Sequence, residues 1–200
     1  MTHPLTEVVM HHSEVRARQL IARLRPGEDR GAEVGVWAGE MSAHMLRFRP
    51  TLHLTMVDNW LPHKERPKAY IASGDPLAYC PEAEMLNAMR EAEARTAFAT
   101  DRRHIIRAAS VDAARDMAPA SLDFVFVDAD HSYGSVSADI AAWLPTLKPG
   151  GLLCGHDYRI PGEHNRRGWP GVVRAVDEFI AAHSLALDRG DNATWFARLP

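Results

Sequence analysis

Apolar residues along the chain follow two alternating rhythms. Ala17, Leu20, Ile21 and Leu24 recur at helical spacing behind Ser13, which is placed to cap that helix, and the turn-rich "RPGEDR" ends it. "GAEVGV" then reads as a short strand, "EMSAHML" as a helix and "LHLTMVD" as a second strand. "PEAEMLNAMREAEARTAFA" predicts a longer helix, with Pro81 in its first turn and Glu82 and Glu84 complementing its dipole. "HIIRAA", "VDAARDM" and "LDFVFVD" continue as strand, helix and strand. Val136, Ile140, Leu144 and Leu147 line one face of the next helix, "KPGG" turns the chain into the strand "LLCG", and Val172, Val173, Val176, Phe179 and Ile180 mark a last helix. Such alternation predicts an α/β fold, a mostly parallel sheet with helices on both faces. The tail "LALDRGDNATWFARL" breaks the rhythm with two strands around "RGDN", an antiparallel hairpin at one edge.

Two stretches carry neither rhythm: residues 59–81, beginning "NWLPHKERPKAY", and residues 157–171, "DYRIPGEHNRRGWPG". Each exceeds the roughly 12–15 residues expected of a structureless connection. They are either insertions or binding loops. Both leave the carboxyl ends of strands, where open α/β sheets take ligands, which favours binding.

At 200 residues with 46% hydrophobic content, the chain can bury a full core in one domain, preceded by a helical segment over 1–30. The 23 basic and 26 acidic residues are spread evenly, for a net charge of −3. No polybasic footprint therefore points to nucleic acid or to an anionic membrane. No apolar run reaches the ~20 residues of a membrane span or the core of a secretory leader, so a cytoplasmic location is expected. Cys80 and Cys154 lack metal-type spacing and are expected as free, buried thiols. Assembly into a homo-oligomer stays open.

Candidate chemistry gathers at strand ends. "AEVGVWAGEMS" puts Gly35 and Gly39 in a strand-to-helix turn, with Glu33 before it and Ser42 after it. Glycines there let backbone approach a ligand, and the helix start offers unpaired N–H groups. The G-x-x-x-G spacing differs from the G-x-G-x-x-G of pyrophosphate binders and argues against NAD or FAD. Asp58 ends the second strand, where a carboxylate takes ribose hydroxyls. Ser110 follows the third strand, placed to cap the next helix. The apolar run "SLDFVFVDADHSY" ends in Asp128, Asp130 and His131, and "CGHDY" adds His156 and Asp157 one strand later. Unpaired carboxylates are costly to desolvate, so this convergence calls for a cation or a solvent-filled crevice.

"EVGVWAGEMS", "MVDNW" and "VDADHSYGSVSADIAAWLPTLKPGGLLCGHDY" resemble the S-adenosylmethionine-dependent methyltransferases of the Rossmann-like class, over roughly Ala32 to Phe196. The resemblance implies a single methyltransferase domain over 1–200, with a seven-stranded sheet whose last strand is antiparallel. It implies that Glu33, Gly35 and Gly39 line the methionine part of the cofactor, that Ser42 also belongs to the cofactor site, that Asp58 holds its ribose and that Ser110 lies near its adenine. Trp60 is expected over the adenosine, with core packing as the alternative. The similarity is strongest to the metal-dependent branch that methylates catechols and antibiotic sugars. Carried over, its ligand positions are Asp128, His156 and Asp157, with Asp128 also beside the cofactor, and its general base is His131 or Asp130. An imidazole where those enzymes have an acid moves the expected ion from Mg²⁺ toward Mn²⁺, Fe²⁺, Co²⁺ or Zn²⁺. The implied acceptor is a hydroxyl of a small molecule. The rivals are a metal-independent transferase using His131 or Asp130 alone and a non-catalytic cofactor-binding module.

Overall fold

The computed structural model describes residues 12–160 and 168–200. Among the described residues, strands alternate with helices until a final pair of strands: α1 (His12–Arg23), β1 (Arg30–Val34), α2 (Glu40–Phe48), β2 (His53–Asp58), α3 (Lys68–Ser73), α4 (Glu82–Arg95), β3 (Arg103–Arg107), α5 (Ser110–Arg115), β4 (Leu122–Val127), α6 (Tyr133–Trp143), β5 (Leu147–Gly155), α7 (Pro170–His183), β6 (Asp188–Arg189) and β7 (Trp195–Arg198). They form one sheet in the order β3-β2-β1-β4-β5-β7-β6. The first five are parallel, and β7 runs antiparallel to both β5 and β6, so the predicted edge hairpin is present.

The central strand β4 is buried at every position. Its side chains alternate between two cores, as the two-residue period of a strand requires. Phe124 and Phe126 join Leu20, Met45, Met85 and Cys154 on the face covered by α1, α2 and α4. Val125 and Val127 join Val136, Trp143, Val176 and Trp195 on the face covered by α6 and α7. Chain order reverses between β1 and β4, which opens a crevice at the carboxyl ends of these strands.

Some local expectations change. Residues 59–81 are not irregular: two 3-10 turns, His63–Glu65 and Pro76–Tyr79, flank α3. Pro62, Pro67 and Pro76 had masked the helical rhythm, yet each sits just before one of these short elements or at its first position, where a missing N–H costs nothing, and Pro81 sits at the cap of α4, one residue before its expected place in the first turn. Ser13 lies inside α1 rather than capping it, buried with its hydroxyl turned to Glu40. Ser110 is the first residue of α5, and Ala109 holds the cap position. β5 begins at Leu147, so "KPGG" belongs to the strand as an irregularity with Gly150 in the left-handed region. Cys80 and Cys154 are free and buried. Among the described residues no helix is long and apolar enough to cross a membrane. Of the second long segment, residues 161–167, with His164, Arg166 and Arg167, lie outside the described residues.

Candidate functional site

A cavity of about 360 Å³ opens at the carboxyl ends of β1, β2 and β4, within the roughly 300–1,000 Å³ of small-molecule sites. Gly35, Asp58, Ser110, Asp128 and Asp130 line it, and Arg66, Pro67, Tyr70 and Leu77 cover it from the segment after β2. Asp58 is fixed by its own neighbourhood: Trp37 N–H donates to one carboxylate oxygen and Trp60 N–H to the other, each at 2.9 Å. Burial raises its pKa, and these backbone donors oppose that shift.

The glycine turn works differently from the sequence expectation. A Cβ on Gly35 would lie 1.9 Å from the carbonyl oxygen of Asp128, and its φ of +93° is in the left-handed region. Gly35 is thus required by the junction of β1 with β4 as well as bordering the cavity. A Cβ on Gly39 would lie 2.7 Å from Cα of Ala92, so Gly39 lets α2 approach α4. Glu33 and Ser42 are sealed beneath this turn and do not line the cavity. Ser42 Oγ donates to Glu33, whose carboxyl is pushed up to about 8 by burial. Trp60 likewise is not a cover for the cavity. It is fully buried in the core, its indole N–H donating to the Trp37 carbonyl at 3.0 Å, and Asn59 faces the cavity instead.

Beside the cavity the charged groups do converge. Asp157 is held in a left-handed conformation after β5 and meets two imidazoles: His131 Nε2 at 2.7 Å and His156 Nδ1 at 3.0 Å. His156 Nδ1 is also 3.4 Å from Asp128. Two further groups come from distant segments. Arg16 on α1 sets a guanidinium nitrogen 3.3 Å from Asp128 and 3.2 Å from His156 Nδ1. Asp75, buried before the 3-10 turn at Pro76, lies 2.9 Å from His131 Nδ1. That nitrogen has no aligned hydrogen-bond acceptor, so Asp75 acts on it as a close counter-charge. Tyr70 and Leu77 N–H hold Asp75 in place at 3.0 and 2.9 Å. Trp169 stacks on the His131 ring at 4.2 Å.

The electrostatics are those of a closed network. Burial alone would lower His131, but Asp157 and Asp75 push it up to about 10. His156 is likewise raised to about 9 against its burial, by Asp128 and Asp157. Burial would raise Asp157, yet the two imidazoles hold it well below the usual carboxylate range; Asp128 is lowered by His156 and Arg16 in the same way.

For a cation, the ligand atoms of Asp128, His131 and Asp157 lie within 4.8 Å of one another. His131 thus joins the two expected carboxylates in this group, while the expected His156 also meets both of them, its Nδ1 3.0 Å from Asp157 and 3.4 Å from Asp128, on the side it shares with the Arg16 guanidinium. Two carboxylates and an imidazole fit a divalent ion, and favour Mn²⁺, Fe²⁺, Co²⁺ or Zn²⁺ over Mg²⁺.

Asp130 borders the cavity, but its carboxylate shapes the backbone. One oxygen accepts Ser132 N–H and the other accepts Ser135 Oγ–H, both at 2.7 Å, making an Asx turn that leads into α6. These bonds give it a structural role beside the expected one as base. Asp130→Ala should cost roughly 1–2 kcal/mol, read as a fall of a few degrees in thermal midpoint. An unchanged midpoint would leave Asp130 only its expected role as base.

The residues that sequence reading overlooked are Arg16, Arg66, Asp75 and Asp139. Each looks ordinary in sequence, Asp75 as part of an "SGDP" turn and Arg16 as one of several helix arginines.

A family model described as a methyltransferase domain matches residues 32–158. Among curated proteins none matches the chain significantly. Solved structures share the fold at low identity. A provisionally assigned caffeoyl-CoA O-methyltransferase from Staphylococcus aureus is 15% identical, with a TM-score of 0.64 over 96% of this chain and 85% of that one. The O-methyltransferase NovP is 17% identical, with a TM-score of 0.58 over 94% and 77%. A provisionally assigned O-methyltransferase from Klebsiella pneumoniae is 17% identical, with a TM-score of 0.61 over 98% and 83%.

Proposed function

The chain belongs to the S-adenosylmethionine-dependent methyltransferases of the Rossmann-like class, and on that premise we propose that it methylates a hydroxyl group of a small molecule with the help of a divalent cation. The observation that carries this reading is Asp128, which both lines the cofactor-sized cavity and belongs to the carboxylate and imidazole cluster beside it. A methyl donor in the cavity and a hydroxyl at the cluster would meet at this residue.

Asp58, steadied by two backbone N–H groups, takes the ribose hydroxyls, and the backbone at Gly35 borders the methionine arm. Glu33 is largely uncharged at neutral pH and braces Ser42 beneath the turn, a supporting role in place of direct contact. Asp128, His131 and Asp157 would hold the cation. When bound, the ion supplies Lewis acidity that lowers the pKa of an attached hydroxyl and fixes it in line with the donor methyl. Trp169 over His131, and Tyr70, Pro67 and Leu77 over the cavity, exclude water from the space between.

Arg16 supports a second reading. With both imidazoles protonated, Arg16, His131 and His156 balance Asp75, Asp128 and Asp157 with no ion, and His131 Nε2 would then serve as the base after losing its proton. Titration calorimetry with S-adenosylhomocysteine tests the cofactor, and transfer of labelled methyl to a panel of catechols and sugars, with chelation and metal re-addition, tests the reaction. Asp58→Ala is expected to weaken S-adenosylhomocysteine at least ~10-fold, through loss of hydrogen bonds to a charged group. Tight binding of NAD in its place would overturn the reading.

A further inference from the structure

Asp139 is a carboxylate that the proposed reaction does not use. It sits on the face of α6 that also presents Ser135 and Ala138, at i, i+3 and i+4 spacing, and all three line the cavity. Its residue surface is only 5% exposed, and among the described residues no salt bridge reaches it. A buried carboxylate without a cationic partner is costly, so its acceptor positions call for donors.

The donors there run in one direction. Trp143 Nε1–H donates to Ser110 Oγ at 2.9 Å. An indole N–H can only donate, so Ser110 accepts it and has one hydrogen of its own left to give. The Ser110 side chain is set against Asp139 and favours its charged form. The donors therefore lead to Asp139, a group with about four acceptor positions. Burial pushes its carboxyl up to about 6, opposed by Ser110, so it is mostly ionised at neutral pH. Beside Ser110 and Asp139 in the chain, the cavity lining is small and apolar, from Ala108, Ala109, Val111 and Ala138, and Asp130 is a further acidic neighbour of Asp139. A flat ring fits between such walls. To suit this end of the cavity, its edge must carry an N–H donor and not a carbonyl.

Asp58 ends β2, and Ser110 follows the neighbouring strand β3, so a nucleoside with its ribose on Asp58 extends its base toward Ser110 and Asp139. We propose that Asp139, oriented through Ser110 and Trp143, selects the cofactor's adenine by accepting a hydrogen bond from its 6-amino group. The inference rests on the cofactor reading above and adds the residue that reads the base. A 6-oxo purine would bring an acceptor against an acceptor and be rejected.

The test is calorimetry of S-adenosylhomocysteine and its 6-oxo analogue, S-inosylhomocysteine, on the wild type, Asp139→Asn and Ser110→Ala, with thermal midpoints taken alongside. Wild type is expected to prefer the adenosyl compound by about 10- to 100-fold, the range of one hydrogen bond to a charged group. Asp139→Asn, nearly isosteric, can turn an amide N–H toward the 6-oxo group and should bring the two compounds within about threefold of each other. Ser110→Ala should lower the preference to a smaller extent without touching the carboxylate. An undiminished preference in Asp139→Asn, at normal adenosyl affinity in the wild type, overturns this inference alone. Absence of adenosyl binding to the wild type overturns the cofactor reading and this inference with it.

Discussion

Gly35→Val should yield a chain that does not fold cooperatively. The added Cβ would lie 1.9 Å from the Asp128 carbonyl oxygen and 2.5 Å from its carbon, both backbone atoms with no rotamer to retreat into. Gly35 N–H also donates to the Val57 carbonyl at 2.8 Å and Asp128 N–H to the Val34 carbonyl at 2.7 Å, so β1 cannot move away without breaking ladders on both sides. A φ of +93° adds strain of order 1–2 kcal/mol for any residue with a Cβ. Together with overpacking of ~1–3 kcal/mol or more, this consumes much of the roughly 5–15 kcal/mol that holds a typical domain. Circular dichroism through a thermal ramp is the measurement. A folded Gly35→Val with the wild-type midpoint and no cofactor binding would mean that the glycine serves ligand approach alone.

The contrast with Asp58→Ala shows where the sequence was informative. Strand and helix order, the edge hairpin and the strand-end positions of Asp58, Asp128 and Asp157 were readable because each depends on local periodicity within one element. Glu33 and Ser42 were correctly placed beside the glycine turn but on its wrong side, since sequence gives proximity along the chain and not which face is sealed. Arg16, Asp75 and Asp139 reach the site from α1, from the segment before Pro76 and from the middle of α6. Their roles depend on how distant elements pack. The choice of His131 over His156 in the proposed ion site has the same origin, because it weighs a guanidinium that arrives 140 residues away in sequence.

His131→Ala is expected to lower both metal affinity and turnover. Removing one of the three proposed ligand side chains leaves Asp128 and Asp157 near each other with less to neutralise them, and should weaken Mn²⁺ or Zn²⁺ by at least about 100-fold, beyond the loss typical of groups that only support a ligand. Turnover should fall by roughly 10²–10⁴-fold while S-adenosylhomocysteine affinity changes little, since His131 does not line the cavity. The proton supplies an independent measure. A ligating imidazole must be deprotonated, and Asp157 and Asp75 raise His131 to about 10, so the ion competes with a firmly held proton at neutral pH. Affinity in the wild type should therefore climb by up to about tenfold per unit between pH 7 and 10, and that slope should flatten in His131→Ala. In chelator the stability runs the other way. A folded-state pKa above the unfolded value of ~6.5 stabilises fully below pH 6.5 and is lost as pH rises through about 10. The thermal midpoint in chelator should fall across that window, and added metal should reverse the fall. Calorimetry with the metal, the pH series and activity in chelator together separate the two readings. If His131→Ala binds the ion as well as the wild type and the wild type turns over fully in chelator, His131 is a base in a metal-free site, with Arg16 as the resident cation.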